Sequence, residues 1–438
     1  MKITFMGAGS TIFAKNVLGD VLVTPSLRDN LEIALYDIDG ERLEESFIVI
    51  DALNKKYNEG KAVIKKYLGV NERRDALKNA QFVVNAIQVG LYDPCTIIDF
   101  EIPKKYGLRQ TIGDTLGIGG IMRGMRTIRV LKDFARDMED VCPDAWFLNY
   151  TNPMAILTGY MLRYTKIKTV GLCHSVQVCS KDLLNGLGMD HNIIGSERIA
   201  GINHMAWLLE LRDKEGRDLY PLIREKAKTM NATKNWNMVR FDYIDKFGYF
   251  CTESSEHNAE YNPFYIKSKY PELIERFNIP LDEYPRRCVN QIEDWKKQRD
   301  EIMADGNIEH ARSHEYASHI MEAIVTDKPY KIGGNVLNNG LITNLPSDAC
   351  VEVPCMVDGD GIHPTYVGRL PVQCAAMNMT NINPQLLTIE AAVTGKREHL
   401  YQAAMLDPHT AAELSIDDII AMCDELIEAH EKAGYPIF

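Results

Sequence analysis

No apolar run in this chain is long enough to span a bilayer, and Lys2 is followed by only a short apolar stretch before Gly7. Neither a membrane helix nor the core of a secretory signal is therefore expected. Closely spaced cysteines are missing too. Ten are scattered from Cys95 to Cys423 with no CxxC pair, which argues against a disulfide-stapled scaffold and leaves reduced thiols, most of them small core residues. Positive charge is in deficit: 49 Lys and Arg against 61 Asp and Glu leave a formal charge of -12, whose average field repels nucleic acid and anionic membrane. Low-complexity linkers and internal repeats are also absent. What remains is an expected cytoplasmic globular protein of 438 residues, 45% hydrophobic, long enough for two intimately packed domains.

Ile3-Thr4-Phe5-Met6 reads as a short buried strand, followed by Gly7-Ala8-Gly9-Ser10-Thr11 and then by apolar residues at helical spacing from Ile12 to Leu22. Further strands are expected at residues 33–36, 62–64, 82–86, 146–148 and 169–172, with helical patterns between them, the clearest from Ile121 to Met138. This alternation predicts a Rossmann-like, doubly wound parallel sheet over residues 1–195. After His204 the pattern changes: Trp207 to Leu211 and Val351 to Val353 look like strands in an otherwise helical or irregular stretch. Residues 196–438 are expected to form a mixed, mainly helical α+β domain, for substrate binding and oligomerisation, packed on the first. Its last helix is marked by Ser415, with Asp418 three residues on, and by an apolar stripe from Ile416 to Ile427.

A GxG turn between strand and helix suits a dinucleotide. Gly7 permits the tight turn, Gly9 lets a pyrophosphate approach the backbone, and the free amides of the following helix favour the anion. Ile12 stands where the fingerprint has its third glycine, so the motif also fits a mere tight connection. Asp37, at the end of the second strand, is placed to bind both ribose hydroxyls and to repel a 2'-phosphate, favouring NAD over NADP; its alternative is a helix cap. Gly7, Gly9, Ser10, Thr11, Asp37 and Asn85 are the candidate cofactor-binding residues.

Cys173 ends a parallel strand, where sheets of this type gather their sites, and His204 lies about thirty residues on in Gly201-Ile202-Asn203-His204. Thiolate and imidazole form a plausible half-set of ligands for an open catalytic metal; as single residues, either reads as a buried core side chain. Asn149, Asn152 and Asn203 are the candidate substrate-binding residues around them. Asp114 lies in the glycine-rich loop Thr111 to Gly117, within reach of a ligand. The stretch from Cys251 to Tyr261 gathers three carboxylates, a histidine and a tyrosine, a composition equally suited to a solvated loop.

With these segments in view, the chain resembles the NAD- and metal-dependent family 4 glycoside hydrolases, and within them the α-galactosidase branch. The marks are residues 3–11, Gly171-Leu172-Cys173-His174-Ser175-Val176-Gln177, Gly201 to Ala206, Thr252 to Tyr261, Asp282 to Cys288 and Ala404 to Ala412. The resemblance implies hydrolysis of terminal α-galactosides, of the melibiose or raffinose type, by a cycle of oxidation, elimination, addition and reduction with no net redox change. It further implies NAD+ and Mn2+ as cofactors, Cys173 and His204 as metal ligands, and a homodimer or homotetramer. The 6-phosphoglycosidase branch carries Asp directly after the ligand cysteine; His174 stands there in this chain, which argues against a phosphorylated sugar and reopens the identity of the acid. Asp114 and His174 are the candidates for acid or base, followed by Tyr249, Glu253, Glu256 and Tyr261 from the stretch where relatives place the base.

Alternatives are an α-glucosidase or α-galacturonidase of the same family, a lactate- or malate-type dehydrogenase, and a nucleotide-sensing regulator without turnover. The Arg286-Arg287 pair could suit a carboxylated sugar or a surface salt bridge. If the resemblance holds, activity requires Mn2+, NAD+ and a thiol reductant; full turnover after exhaustive chelation would contradict it.

Overall fold

A computed structural model describes residues 1–305 and 308–438, with the backbone alone at positions 298 and 300–305. Its strands are β1 (Lys2–Met6), β2 (Glu32–Asp37), β3 (Val63–Leu68), β4 (Phe82–Asn85), β5 (Trp146–Asn149), β6 (Lys168–Gly171), β7 (Ile194–Ile202), β8 (Met205–Asp213), β9 (Phe250–Cys251), β10 (Tyr330–Leu337), β11 (Cys350–Asp358) and β12 (Gly361–Pro364). They form one 12-stranded sheet in the order β3-β2-β1-β4-β5-β6-β10-β11-β7-β8-β9, with β12 on β11. From β3 to β6 every pairing is parallel, as the alternating strands and helices predict. Beyond β6 every pairing is antiparallel.

The sheet therefore does not stop where the parallel pattern ends. Position 195 lies inside β7, and Phe5, Leu35 and Val170 of the parallel half share one buried core with Trp207, Val351 and Val353 of the antiparallel half. The seam is narrow. Gly171 pairs with Asn335 across β6 and β10, and Glu352 pairs with Gly201 across β11 and β7. Gly171 has no room for a side chain, because a Cβ there would stand 2.5 Å from Met154 Sδ and 2.9 Å from Asn335 Cβ. With β10 and β11 paired Asn335 to Glu352, the four residues make one row across the sheet.

A buried charge cluster fixes the C-terminal helix Ile416–Lys432 against the parallel half. Ser415 caps that helix, accepting from the Asp418 amide at 3.1 Å, as its spacing predicts. Near the other end, His430 Nε2 lies 2.8 Å from Asp99 Oδ1, while Arg126 donates to Asp99 Oδ2 at 2.7 Å and to the Val89 carbonyl at 3.1 Å. Burial would raise the Asp99 carboxyl, but Arg126 and His430 hold it below the usual carboxylate range. Removing one partner of a buried ion pair leaves a charge uncompensated. Arg126→Met is expected to cost about 3–5 kcal/mol in urea denaturation; a loss under about 1 kcal/mol, the scale of an exposed pair, would contradict this account.

Candidate active site

The glycine turn at the end of β1 is built as a cradle. Gly7 has φ +86°, and a Cβ on it would stand 2.7 Å from the Ala86 carbonyl oxygen. Both the Gly7 and Ala8 amides donate to the Tyr36 carbonyl at 3.0 Å, tying the turn to β2. Asp37 accepts from the Gly9 amide at 2.6 Å through Oδ2, and from the Ile38 and Asp39 amides through Oδ1. The helix cap is not Asp37: Asp39 caps helix Gly40–Asn58, accepting from Glu41 and Arg42. Ser10 precedes helix Thr11–Val23 with its hydroxyl unspent on capping and on the wall of the central cavity. Thr11 is spent differently, its hydroxyl 2.7 Å from that of buried Ser46. A close-approach backbone at a helix N-terminus, beside an acid at the second strand's end, fits a dinucleotide.

That cavity, of about 550 Å³, runs from Ser10, Phe13 and Ala86 to Cys173, His204 and Glu253. Cys173 follows β6, His204 lies in the β7–β8 turn, and Glu253 follows β9. All three stand just beyond the row of residues that crosses the seam, so their ligand atoms converge within 4.8 Å of one another. A thiolate, an imidazole and a carboxylate suit a divalent cation whose remaining positions open to the cavity. His204 and Glu253 adopt left-handed backbone angles, φ 63° and 66°. Such angles cost a residue with a Cβ about 1–2 kcal/mol, and they aim both side chains at Cys173.

Electrostatics follow from burial and pairing. His204 Nδ1 is 3.0 Å from Tyr261 Oη, which leaves Nε2 facing Glu253 Oε2 at 3.4 Å. Burial would raise the Glu253 carboxyl, yet His257, His204, Arg240 and the Ser254 amide bring it down to about 2. Burial lowers the His257 imidazole, with the facing Glu253 and Asp114 carboxylates opposing the shift. The Cys173 thiol is pushed far up by burial, with Glu352 and Glu253 adding to the shift. Glu352 itself, fully buried and accepting from Asn335 at 3.0 Å, is pushed up to about 8.

Asp114 also lines the cavity, accepting from Thr115 Oγ1 at 2.7 Å and Asn152 Nδ2 at 3.2 Å, with Arg123 at 4.0 Å. Burial opposes its ionisation, but Arg123, His257 and His204 hold it below the usual range. Its loop is clamped from behind by Glu260, which accepts from the Thr111 and Gly113 amides, both at 2.8 Å. His174 meets Glu315 at 2.6 Å, and this contact outweighs burial to raise the imidazole.

Other candidates lie elsewhere. Asn85 and Asn149 are buried and bonded to each other at 2.9 Å, and Asn203 is buried within the β7–β8 turn; none lines the cavity. Tyr249 packs on Tyr220, against two apolar clusters, and does not line the cavity. Glu256 is buried in an ion pair with Arg287, and Tyr261 acts on His204 from behind. Sequence reasoning missed Arg123, His257, Glu260, Glu315 and Glu352. Only His257 and Glu260 carried a signal, being part of the Cys251 to Tyr261 cluster.

A dinucleotide cradle and a soft-ligand cation cluster sharing one cavity define a cofactor-dependent enzyme. The sequence model of family 4 glycosyl hydrolase matches residues 2–189, and that of the family 4 C-terminal domain matches residues 199–410. The chain belongs to this family. It is 65% identical over 429 residues, 98% of each chain, to an alpha-galactosidase of Bacillus subtilis (strain 168). It is 34% identical to an alpha-galactosidase of Rhizobium meliloti (strain 1021), covering 98% of this chain and 88% of that one. In fold it is similar to the 6-phospho-beta glucosidase of Thermotoga maritima solved with manganese, NAD+ and glucose-6-phosphate, with a TM-score of 0.78 at 21% identity over 99% of both chains.

Binding a cation must displace the proton that burial keeps on Cys173, so affinity rises with pH and binding releases a proton. Calorimetry between about pH 6 and pH 8.5 checks this, and Cys173→Ala is expected to weaken binding about tenfold or more. Affinity flat with pH would overturn the thiolate assignment.

Proposed function

We propose that the chain hydrolyses terminal α-galactosides of the melibiose or raffinose type, using NAD+ and Mn2+ in a redox-neutral cycle. The observation that carries the reading is the 65% identity to a Bacillus α-galactosidase along nearly the whole chain. The cavity joining the glycine cradle to the Cys173, His204 and Glu253 cluster supports it. So does the related Thermotoga structure, solved with manganese and NAD+. The same proposal extends, on the family resemblance, to a cytoplasmic homodimer or homotetramer.

Gly7, Gly9, Ser10 and Asp37 would hold the dinucleotide, and Cys173, His204 and Glu253 the cation. When bound, the nicotinamide supplies a hydride acceptor and the cation a Lewis acid for neighbouring sugar oxygens. Of the six acid or base candidates, only Asp114, His174 and Glu253 line the cavity, and the Glu253 oxygens face His204 and His257. That leaves two groups of opposite character. Asp114, kept as a carboxylate, takes the proton from C2 of the oxidised sugar. His174, whose proton Glu315 stabilises, hands one to the departing glycosidic oxygen. Asn152, bonded to Asp114, orients the base, and Tyr261 orients His204.

An aryl α-galactoside turned over in D2O with NAD+ and Mn2+ is expected to release its aglycone and gain deuterium at C2. Asp114→Asn should lower kcat about 100-fold or more while leaving cofactor binding intact. Aglycone release without C2 exchange would overturn the elimination cycle.

A further inference from the structure

We propose that the cavity selects an uncharged sugar because Arg287, the arginine on its wall best placed to take an anion, is already held by two carboxylates, and that Glu256 and Glu283 set this selectivity by occupying it. The inference rests on the glycosidase reading above and adds which sugars the site refuses.

Arg287 lines the cavity from helix Glu283–Asp305. Its side chain contacts two carboxylates at once: one terminal nitrogen meets Glu256 Oε1, and Nε donates to Glu283 Oε1 at 3.0 Å. A guanidinium binds an incoming carboxylate through a fork of parallel N–H donors, and this one already has its fork divided between two acids. Glu256 is not free to leave. Its side chain is 1% exposed, and its backbone carbonyl accepts from Thr111 Oγ1 at 2.7 Å, in the loop that carries Asp114. Its second oxygen, Oε2, is buried without a hydrogen-bond partner among the described residues, so the Arg287 pair is its main compensation.

Arg123 and His174 on the same wall are engaged as well. Arg123, 8% exposed in its side chain, has Asp114 at 4.0 Å and the Tyr284 hydroxyl at 3.3 Å. His174 has Glu315 at 2.6 Å. A sugar whose C6 is a hydroxymethyl group disturbs none of these pairs. A C6 carboxylate must either stay unpaired or draw Arg287 away and strand Glu256 as a lone buried charge, and either outcome penalises the anionic sugar.

Glu256→Gln removes the competing charge with little change in shape, and Glu283→Gln does so on a more exposed helix position. The readout is the ratio of kcat/KM for aryl α-galacturonide to that for aryl α-galactoside with NAD+ and Mn2+ present, together with calorimetric binding of free galacturonate and galactose. Wild type is expected to favour the galactoside and galactose. Glu256→Gln should shift both ratios toward the anionic sugar by about tenfold or more, with Glu283→Gln moving them in the same direction by less. Unchanged ratios in a folded Glu256→Gln variant, or in Glu283→Gln should the first fail to fold, would overturn the proposal. If wild type cleaves no galactoside, the functional reading fails, while the binding ratios still decide the selectivity claim.

Discussion

The structure depends on how a parallel sheet is prolonged by an antiparallel one. Strand pairing normally extends over several residues, but here the junctions at β6–β10 and β11–β7 each rest on a single registered pair, Gly171 with Asn335 and Glu352 with Gly201. Where a strand must approach so closely, a glycine is needed, and Gly171 supplies it. Because these pairs align with Asn335 and Glu352 in one row, the segments leaving β6, β7 and β9 emerge at a common edge. Cys173, His204 and Glu253 meet there as a consequence of register. The contiguous core beneath, shared by both halves, makes that edge rigid.

Charge at this edge is managed by pairing as well as by exclusion. Burial acts on every titratable group in the same sense, against its charged form, and the outcome depends on the neighbour each one has. Glu253 and Asp114 keep their charge because imidazoles and guanidiniums face them; Glu352 and Glu260, without a facing cation, are pushed up to about 8 and about 7. Four carboxyl groups within one region are thus shifted in opposite directions by their neighbours. The left-handed angles of His204 and Glu253 belong to the same economy, since local conformational cost is accepted where side-chain direction matters most.

Much of this was legible in the residues. The glycine turn, Asp37, the parallel alternation and the last helix follow from local patterns, and Cys173 stood out at a strand end with His204 as its potential ligand partner about thirty residues on. Asp114 was legible from its glycine-rich loop. The remainder depended on contacts that local patterns do not encode. Glu315 stabilises the proton of His174 from 141 positions away, and no periodicity links the two. β9 is only two residues long, so nothing phased the side chains around it. Tyr249 and Glu256 were therefore as eligible as Glu253 until the fold separated them. Asn85, a candidate for the cofactor, and Asn149, a candidate for the substrate, have their amides bonded to each other inside the sheet.

The seam also sets when the site comes into being. Gly171 and Asn335 are 164 positions apart, and the two strands that separate β6 from β7 are β10 and β11, made late in synthesis. The strands that carry the glycine cradle come first in the chain, β1, β2 and β4 lying within the first 85 residues. The strands that bridge Cys173 and His204, β10 and β11, end only at residue 358. The cradle thus draws on strands made early in the chain, whereas the thiol and the imidazole are held opposite each other by strands encoded far downstream, so a chain cut before β10 lacks the strands that bridge them.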